Sequence, residues 1–285
     1  MAAITVKNVD FSYSSLATRP ALSNINLAVE AGSFVCLIGH TGSGKSTLVS
    51  LIDGLIKPDH GTITVGKTTV DHEAKAADLS RLRQHVGYVF QFPENQLFAD
   101  TVAKDIAFGP TNLGWDEAQI KAAVKEALTM VGLPAEFGQR SPFSLSGGQM
   151  RRVAIAGVLA MKPAILILDE ATAGLDAAST RQLLANIKKL NNEGTTILMI
   201  THQMDQVADL ADQVLVFNQG RIVKNATPQA VFSDDDFLAK NHLDQPAAVK
   251  INQRLQQKGL KMGFNLTLPE LADSLANQLK EGGRH

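Results

Sequence analysis

The segment Gly39-His40-Thr41-Gly42-Ser43-Gly44-Lys45-Ser46 constrains this chain more than any other stretch, because it fits the phosphate-binding pattern GxxxxGK[ST]. Phe34, Val35, Cys36, Leu37 and Ile38 precede it without a polar break, as in a strand buried on both faces. Residues 47–54 follow with a helical pattern. Between a strand and a helix, such glycines let successive backbone N–H groups wrap a phosphate at the helix N-terminus. Lys45 then neutralises the outer phosphate oxygens, and the Ser46 hydroxyl can bind Mg2+. Residues 39–46, with Thr47 opening the helix, are the candidate nucleotide-binding residues.

Further apolar runs lie at 86–90, 165–168, 197–200 and 214–217, again with the look of parallel strands buried on both faces. Short alternating stretches at 4–9, 25–29 and 63–65 predict half-buried antiparallel strands. Helical patterns at 47–54 and 180–190 separate some of the runs, which gives an α/β fold with a mainly parallel central sheet. Residues 95–159 read as a helical insertion, with turn signals at Gly114, Gly132-Leu133-Pro134 and Pro142.

Four buried runs end directly in polar or glycine residues: Ile38 before Gly39, Phe90 before Gln91, Leu168 before Asp169-Glu170, and Thr201 before His202. Ligands of open α/β sheets sit beyond the carboxyl ends of the strands, so these groups are expected to converge. Asp169 offers Mg2+ a carboxylate, and Glu170 beside it can polarise an attacking water.

Composition removes several other classes. Lys and Arg total 27 against 28 Asp and Glu, so no global basic field attracts a polyanion, which argues against a nucleic-acid partner. Cys36 is the only cysteine, which excludes an intramolecular disulfide and fits a reducing compartment. The N-terminus lacks a basic and apolar leader, and no run approaches the roughly 18 apolar residues of a membrane span. A cytosolic or peripheral membrane location is expected.

Kinases, GTPases and helicases would all satisfy these features. Leu145-Ser146-Gly147-Gly148-Gln149 narrows the field, since it precedes an amphipathic helix and would present Ser146 and two glycine N–H groups to an anion. With this motif, residues 4–232 resemble the ABC ATPase family, whose signature is LSGGQ. The resemblance implies an ABC-type P-loop domain with an antiparallel β subdomain, a helical subdomain at about 95–160, and ATP and Mg2+ as cofactors. It implies that Tyr13 stacks on adenine, that Gln91 reaches Mg2+ and the attacking water, and that His202 hydrogen-bonds the γ-phosphate. Ser46, Gln91 and Asp169 would hold the metal, and Glu170, His202 and Gln91 would serve catalysis. The signature residues Ser146, Gly147, Gly148 and Gln149 would cover ATP held by a second subunit. In the loop Ala173-Gly174-Leu175-Asp176 many members have Ser first, whereas Asp176, a dimer-contact residue by resemblance, is retained.

The stretch from Tyr88 through Gln91-Phe92-Pro93-Glu94 to Phe98 is similar to the ATPases of energy-coupling factor transporters, which import vitamins and sometimes cobalt or nickel. Asp105-Ile106-Ala107-Phe108-Gly109-Pro110 and residues 150–157 resemble the second ATPase type of that group. The implied partners are a second ATPase, either a copy or a paralogue, a transmembrane coupling protein, and small substrate-binding membrane proteins. The implied place is the cytoplasmic side of the cell membrane. Two alternatives stand beside it. An ATPase of another ABC transporter class is opposed by Phe92-Pro93-Glu94, and a soluble non-transport ABC ATPase by the single cassette without sustained heptads. Residues 233–285 form a C-terminal extension after a change in composition. Its Leu271, Leu275 and Leu279 stripe needs a partner surface, on its own chain or across a dimer.

Overall fold

A computed structural model describes residues 2–14, 19–260 and 262–282. Among the described residues the strands are β1 (Ala2–Phe11), β2 (Leu22–Glu30), β3 (Phe34–Ile38), β4 (His60–Val65), β5 (Thr68–Val70), β6 (Val86–Val89), β7 (Ile165–Asp169), β8 (Thr196–Ile200), β9 (Gln213–Asn218) and β10 (Arg221–Ala226). The helices are α1 (Lys45–Ile52), α2 (Ala76–Arg83), α3 (Val102–Asn112), α4 (Glu117–Met130), α5 (Gly147–Leu159), α6 (Ala177–Asn192), α7 (Met204–Leu210), α8 (Pro228–Phe232), α9 (Asp235–Lys240), α10 (Ala247–Gln257) and α11 (Leu268–Gly282). They fall into two compact units, one of Met1–Ser33 with Ser46–Met199 and the other of Phe34–Lys45 with Ile200–His285.

The first unit holds an antiparallel sheet in the order β2-β1-β4-β5. Alternation decides its faces: Leu22, Ile25, Leu27 and Val29 are buried while the residues between them are not. The ladder slips between Val6 and Val9, where Asn8 takes φ 49° and inserts a bulge. Parallel strands follow in the order β8-β7-β6, with Val86 opposite Ile165 and Val89 opposite Leu168. Every residue of these three strands is buried, as their unbroken apolar runs require.

The predicted helical insertion is present in the same unit as α3, α4 and α5, preceded by a 3-10 turn at Pro93–Gln96. Polar caps set the helix starts: Thr101 accepts the Lys104 N–H, and Asp116 exchanges hydrogen bonds with Gln119. Val102, Ile106 and Pro110 of α3 and Val153, Ile155 and Ala156 of α5 supply the buried face.

In the second unit β3 pairs in parallel with β9, Val35 opposite Gln213 and Ile38 opposite Val216, and β10 returns antiparallel to β9. Asp212 fixes the register, since its carboxylate and its N–H bond the N–H and C=O of Phe34, both at 2.8 Å. Further along, α10 and α11 close on a small core of Ala248, Met262 and Leu271, with Leu255 and Leu275 packed against it. Leu271 and Leu275 of the leucine stripe thus pack on their own unit, while the Leu279 side chain lies outside the described residues. Asn252, Asn265 and Ser274 fasten this core through hydrogen bonds of 3.1 and 2.7 Å.

All five residues of β3 are fully buried, and the strand ends where the phosphate-binding segment begins. Leu37→Ala is expected to destabilise the chain by about 2–5 kcal/mol through lost burial and a cavity. A urea midpoint unchanged from the parent would contradict that packing.

Candidate nucleotide-binding site

The loop after β3 is shaped by three glycines in the left-handed region, Gly39 at φ 141°, Gly42 at 79° and Gly44 at 107°. At Gly39 a side chain has no room either, because a Cβ would collide with the Phe217 carbonyl oxygen. Lys45, only 5% exposed, turns back into the loop and donates to Gly39 O at 2.8 Å, His40 O at 2.9 Å and Ser43 Oγ at 3.4 Å. With carbonyls turned in toward the ammonium, the loop is built to offer N–H groups to an anion. His40 contacts Thr41 O through Nδ1 at 2.8 Å, and its Nε2 lies 3.3 Å from Asn218 Oδ1. Ser43 is fully buried, and Gly220 N–H bonds its carbonyl at 3.0 Å.

Ser46 continues directly from Lys45 and is exposed, whereas Thr47 is buried. Tyr13 Oη lies 3.1 Å from Thr47 Oγ1, which holds this exposed ring near the start of α1, edge-on to Phe11. One turn further, Ser50 donates to Ser46 O at 2.8 Å and faces the Tyr88 hydroxyl. Tyr88 in turn donates to Asp169 Oδ2 at 3.2 Å. Burial and then the Asp169 charge push the Tyr88 phenol well above its ordinary range, so it stays a donor. Ser46, Ser50, Tyr88 and Asp169 thus form one line from the helix start to the end of β7.

Glu170 follows in the left-handed region at φ 50°, and Gln91 Nε2 donates to its Oε2 at 3.1 Å. Left-handed φ is uncommon for a non-glycine residue and marks a position held by its surroundings. Hydroxyl, amide and carboxylate oxygens from Ser46, Gln91 and Asp169 are the hard donors Mg2+ prefers, in a number that leaves positions for water and phosphate. The residues present therefore fit the ion.

Arg151 was not singled out by the sequence, yet it organises this region. Its guanidinium, 5% exposed, donates to both Glu94 oxygens at 2.9 and 3.1 Å and to Gln91 O at 2.9 Å. Asp105 does the same at the other end of the segment, accepting from Phe98 N at 3.2 Å and Ala99 N at 3.1 Å. Residues 91–99 are thereby pinned to α5 and α3. The signal for Arg151 was its position two residues after Gln149, one helical turn inside the LSGGQ helix.

Ser146 caps α5 in a capping box, accepting Gln149 N–H at 3.4 Å while Gln149 Oε1 accepts Ser146 N–H at 3.0 Å. Among the described residues nothing lies within 4 Å of where a Gly147 Cβ would project, so that side of the helix start is open. Asp176 caps α6, taking N–H bonds from Ala178 at 2.9 Å and Ser179 at 2.8 Å, and the Ser179 backbone bond above all lowers its carboxyl below the usual range. His202 is exposed in the turn between β8 and α7.

A loop of left-handed glycines that wraps a buried lysine between a buried strand and a helix start defines a P-loop nucleotide-binding protein. The family model described as ABC transporter matches residues 22–173, and the chain belongs to that family. It is accordingly an ATP-binding ABC cassette with ATPase activity coupled to transport. The energy-coupling factor transporter ATP-binding protein EcfA2 of Lactiplantibacillus plantarum is 49% identical, over 97% of this chain and 95% of that protein. The protein of the same name from Streptococcus sanguinis is 44% identical over 95% and 99% of the two chains. Among solved structures, cbiO1 from Clostridium perfringens, part of the ABC transporter complex cbiONQ, superposes with a TM-score of 0.74 at 34% identity, covering 90% of this chain and 97% of that one. MJ0796, a bacterial ABC transporter cassette in a dimeric structure, gives 0.72 at 30% identity over 79% and 98%. Among the described residues no helix is long and apolar enough to cross a membrane.

Beside Tyr88, burial pushes the Asp53 carboxyl up to about 7, with the Arg83 guanidinium offsetting part of that rise. The native chain therefore keeps a proton that the unfolded chain releases above about pH 3.9. This contribution to stability is complete at acid pH and is lost as pH rises through the native value. Asp53→Asn, neutral throughout, should gain on the parent between pH 4.5 and pH 8 in urea unfolding, and a pH-independent gap would contradict the shift.

Proposed function

We propose that this chain is the ATP-hydrolysing subunit of an energy-coupling factor importer that takes up vitamins or other micronutrients. The observation that carries the hydrolytic role is the hydrogen-bonded line from Ser46 through Tyr88 to Asp169, with Gln91 bonded to Glu170, and the importer class is supported by the likeness to the EcfA2 proteins. In this reading the N–H groups of residues 39–46 receive the triphosphate, Lys45 neutralises its β and γ oxygens, and Thr47 flanks them. Tyr13 stacks on adenine and His202 donates to the γ-phosphate. Bound Mg2+, held by Ser46, Gln91 and Asp169, would neutralise charge that builds on the phosphates. Glu170 orients the attacking water and accepts its proton, while Gln91, bonded to Glu170, senses the same water.

Ser146, Gly147, Gly148 and Gln149 cover the nucleotide of a second ATPase, a copy or a paralogue, since α5 presents its N-terminal N–H groups there. Asp176, held at the start of α6, lies in the loop that meets that partner. Two ATP close the pair and hydrolysis reopens it, so work is delivered as differential binding of two conformations.

The transmembrane coupling protein docks its cytoplasmic helices in a groove of about 330 Å3 lined by Phe98, Phe108, Val153, Gly157 and Met161. Phe98 and Phe108 are 60% and 52% exposed there and meet edge to face at 4.9 Å, an apolar surface that favours a partner. Arg151 and Asp105 connect that groove to Gln91. Small substrate-binding membrane proteins complete the assembly, with this chain peripheral on the cytoplasmic face. Residues 1–232 form the ATPase domain, with its helical subdomain at about 95–160, and residues 233–285 the extension.

In the purified transporter, Glu170→Gln should bind ATP as the parent does and lose hydrolysis by about 100-fold or more. Lys45→Ala should lose nucleotide affinity itself. Parental turnover in Glu170→Gln, or parental ATP affinity in Lys45→Ala, would contradict the assignment.

A further inference from the structure

Helix α10 begins without a cap of its own. Its N-cap position is Pro246, which has no side-chain acceptor, so the first N–H groups of the helix need a partner from elsewhere. Asp205 supplies it across 42 residues, its Oδ1 accepting the Ala247 N–H at 2.7 Å. Asp205 lies in the first turn of α7, three residues after His202.

That turn is a small rigid network. Thr201 Oγ1 donates to Gln206 Oε1 at 3.1 Å, Gln203 N donates back to Thr201 Oγ1 at 3.1 Å, and Gln206 Nε2 donates to Gln203 Oε1 at 2.9 Å. Thr201 and Gln206 are buried, so His202 is carried by a turn that moves with the start of α7. On the other side, Ala248, next to the capped residue, belongs to the small core with Met262 and Leu271. Asp209, one turn along α7, has its carboxyl raised above the usual range by burial first and then by the charges of Asp205 and Glu270. α7 is therefore bonded to the start of α10, which shares a core with α11.

We propose that Asp205 is a positioning residue for ATP hydrolysis, latching the C-terminal helix pair to the turn that carries His202. The inference rests on the γ-phosphate role given to His202 above. A charged acceptor at a helix N-terminus is favoured by the helix dipole, so the bond resists movement of α7 away from α10. The extension, through this bond, holds His202 at one height above the end of β8. A shift of the extension, such as a partner could impose, is then felt at the γ-phosphate.

The test uses the full chain in its intact transporter. Asp205→Ala should lower kcat about fivefold or more with the KM for ATP unchanged, the size of a typical coupling between sites. Asp205→Asn keeps the carbonyl acceptor and should restore most of the loss. Hydrogen exchange should speed up in Asp205→Ala at residues 201–206 as well as at 246–250. His202→Ala should lower kcat by itself, and adding Asp205→Ala should lower it no further. If His202→Ala costs activity while Asp205→Ala does not, or exchange changes at 246–250 alone, the latch is overturned and the His202 reading stands. If His202→Ala turns over like the parent, the His202 reading falls instead. Equal loss in Asp205→Asn and Asp205→Ala would overturn the latch as well.

Discussion

The ammonium of Lys45, drawn into a collar of its own loop's oxygens, is the interaction on which the rest of the site depends. A buried charge is costly unless it is hydrogen-bonded, and the carbonyls of Gly39 and His40 meet that cost only if the backbone curls around the side chain. Curling demands left-handed glycines, and it turns peptide N–H groups away from the lysine toward whatever anion enters. The fully buried β3 anchors one end of the loop and α1 the other, so an apolar strand and a helix start fix a polar cradle between them.

Beyond the loop, hydrogen bonds reach far across the first unit. Ser50 and Tyr88 carry order from α1 to Asp169, and Arg151 carries it from α5 to Gln91 and Glu94. The helix that begins with the signature residues is thus the one that grips the glutamine segment. Its start faces a partner's nucleotide in the proposed dimer, and its flank lines the groove with Phe98 and Phe108. In the proposed transporter the nucleotide site and the docking groove are joined through the buried Arg151 side chain.

Much of this was legible in the sequence where a local pattern carries the physics. The phosphate loop, the Asp169-Glu170 strand end and the signature cap are short motifs whose neighbours in sequence are their neighbours in space. The buried parallel strands came from unbroken apolar runs, and the helical insertion from the turn signals that divide it. What stayed hidden has a common cause. Tyr88 meets Asp169 across 81 positions and Arg151 meets Glu94 across 57, and no local spacing encodes such pairs. β5 is three residues long and β10 mixes Arg221, Lys224 and Asn225 with its apolar residues, so neither shows a clear strand period. In the extension, Ala248, Met262 and Leu271 make a core too small to dominate composition, and asparagines share the fastening.

The most direct measurement is a cryo-EM reconstruction of the intact transporter with Glu170→Gln in this chain and Mg2+-ATP present, at a resolution that shows phosphates. The expected map places a triphosphate within residues 39–46 of this chain, with Ser146, Gly147 and Gly148 facing the nucleotide held by the other ATPase. Nucleotide density away from residues 39–46, or a closed pair in which Ser146 faces no nucleotide, would contradict that arrangement.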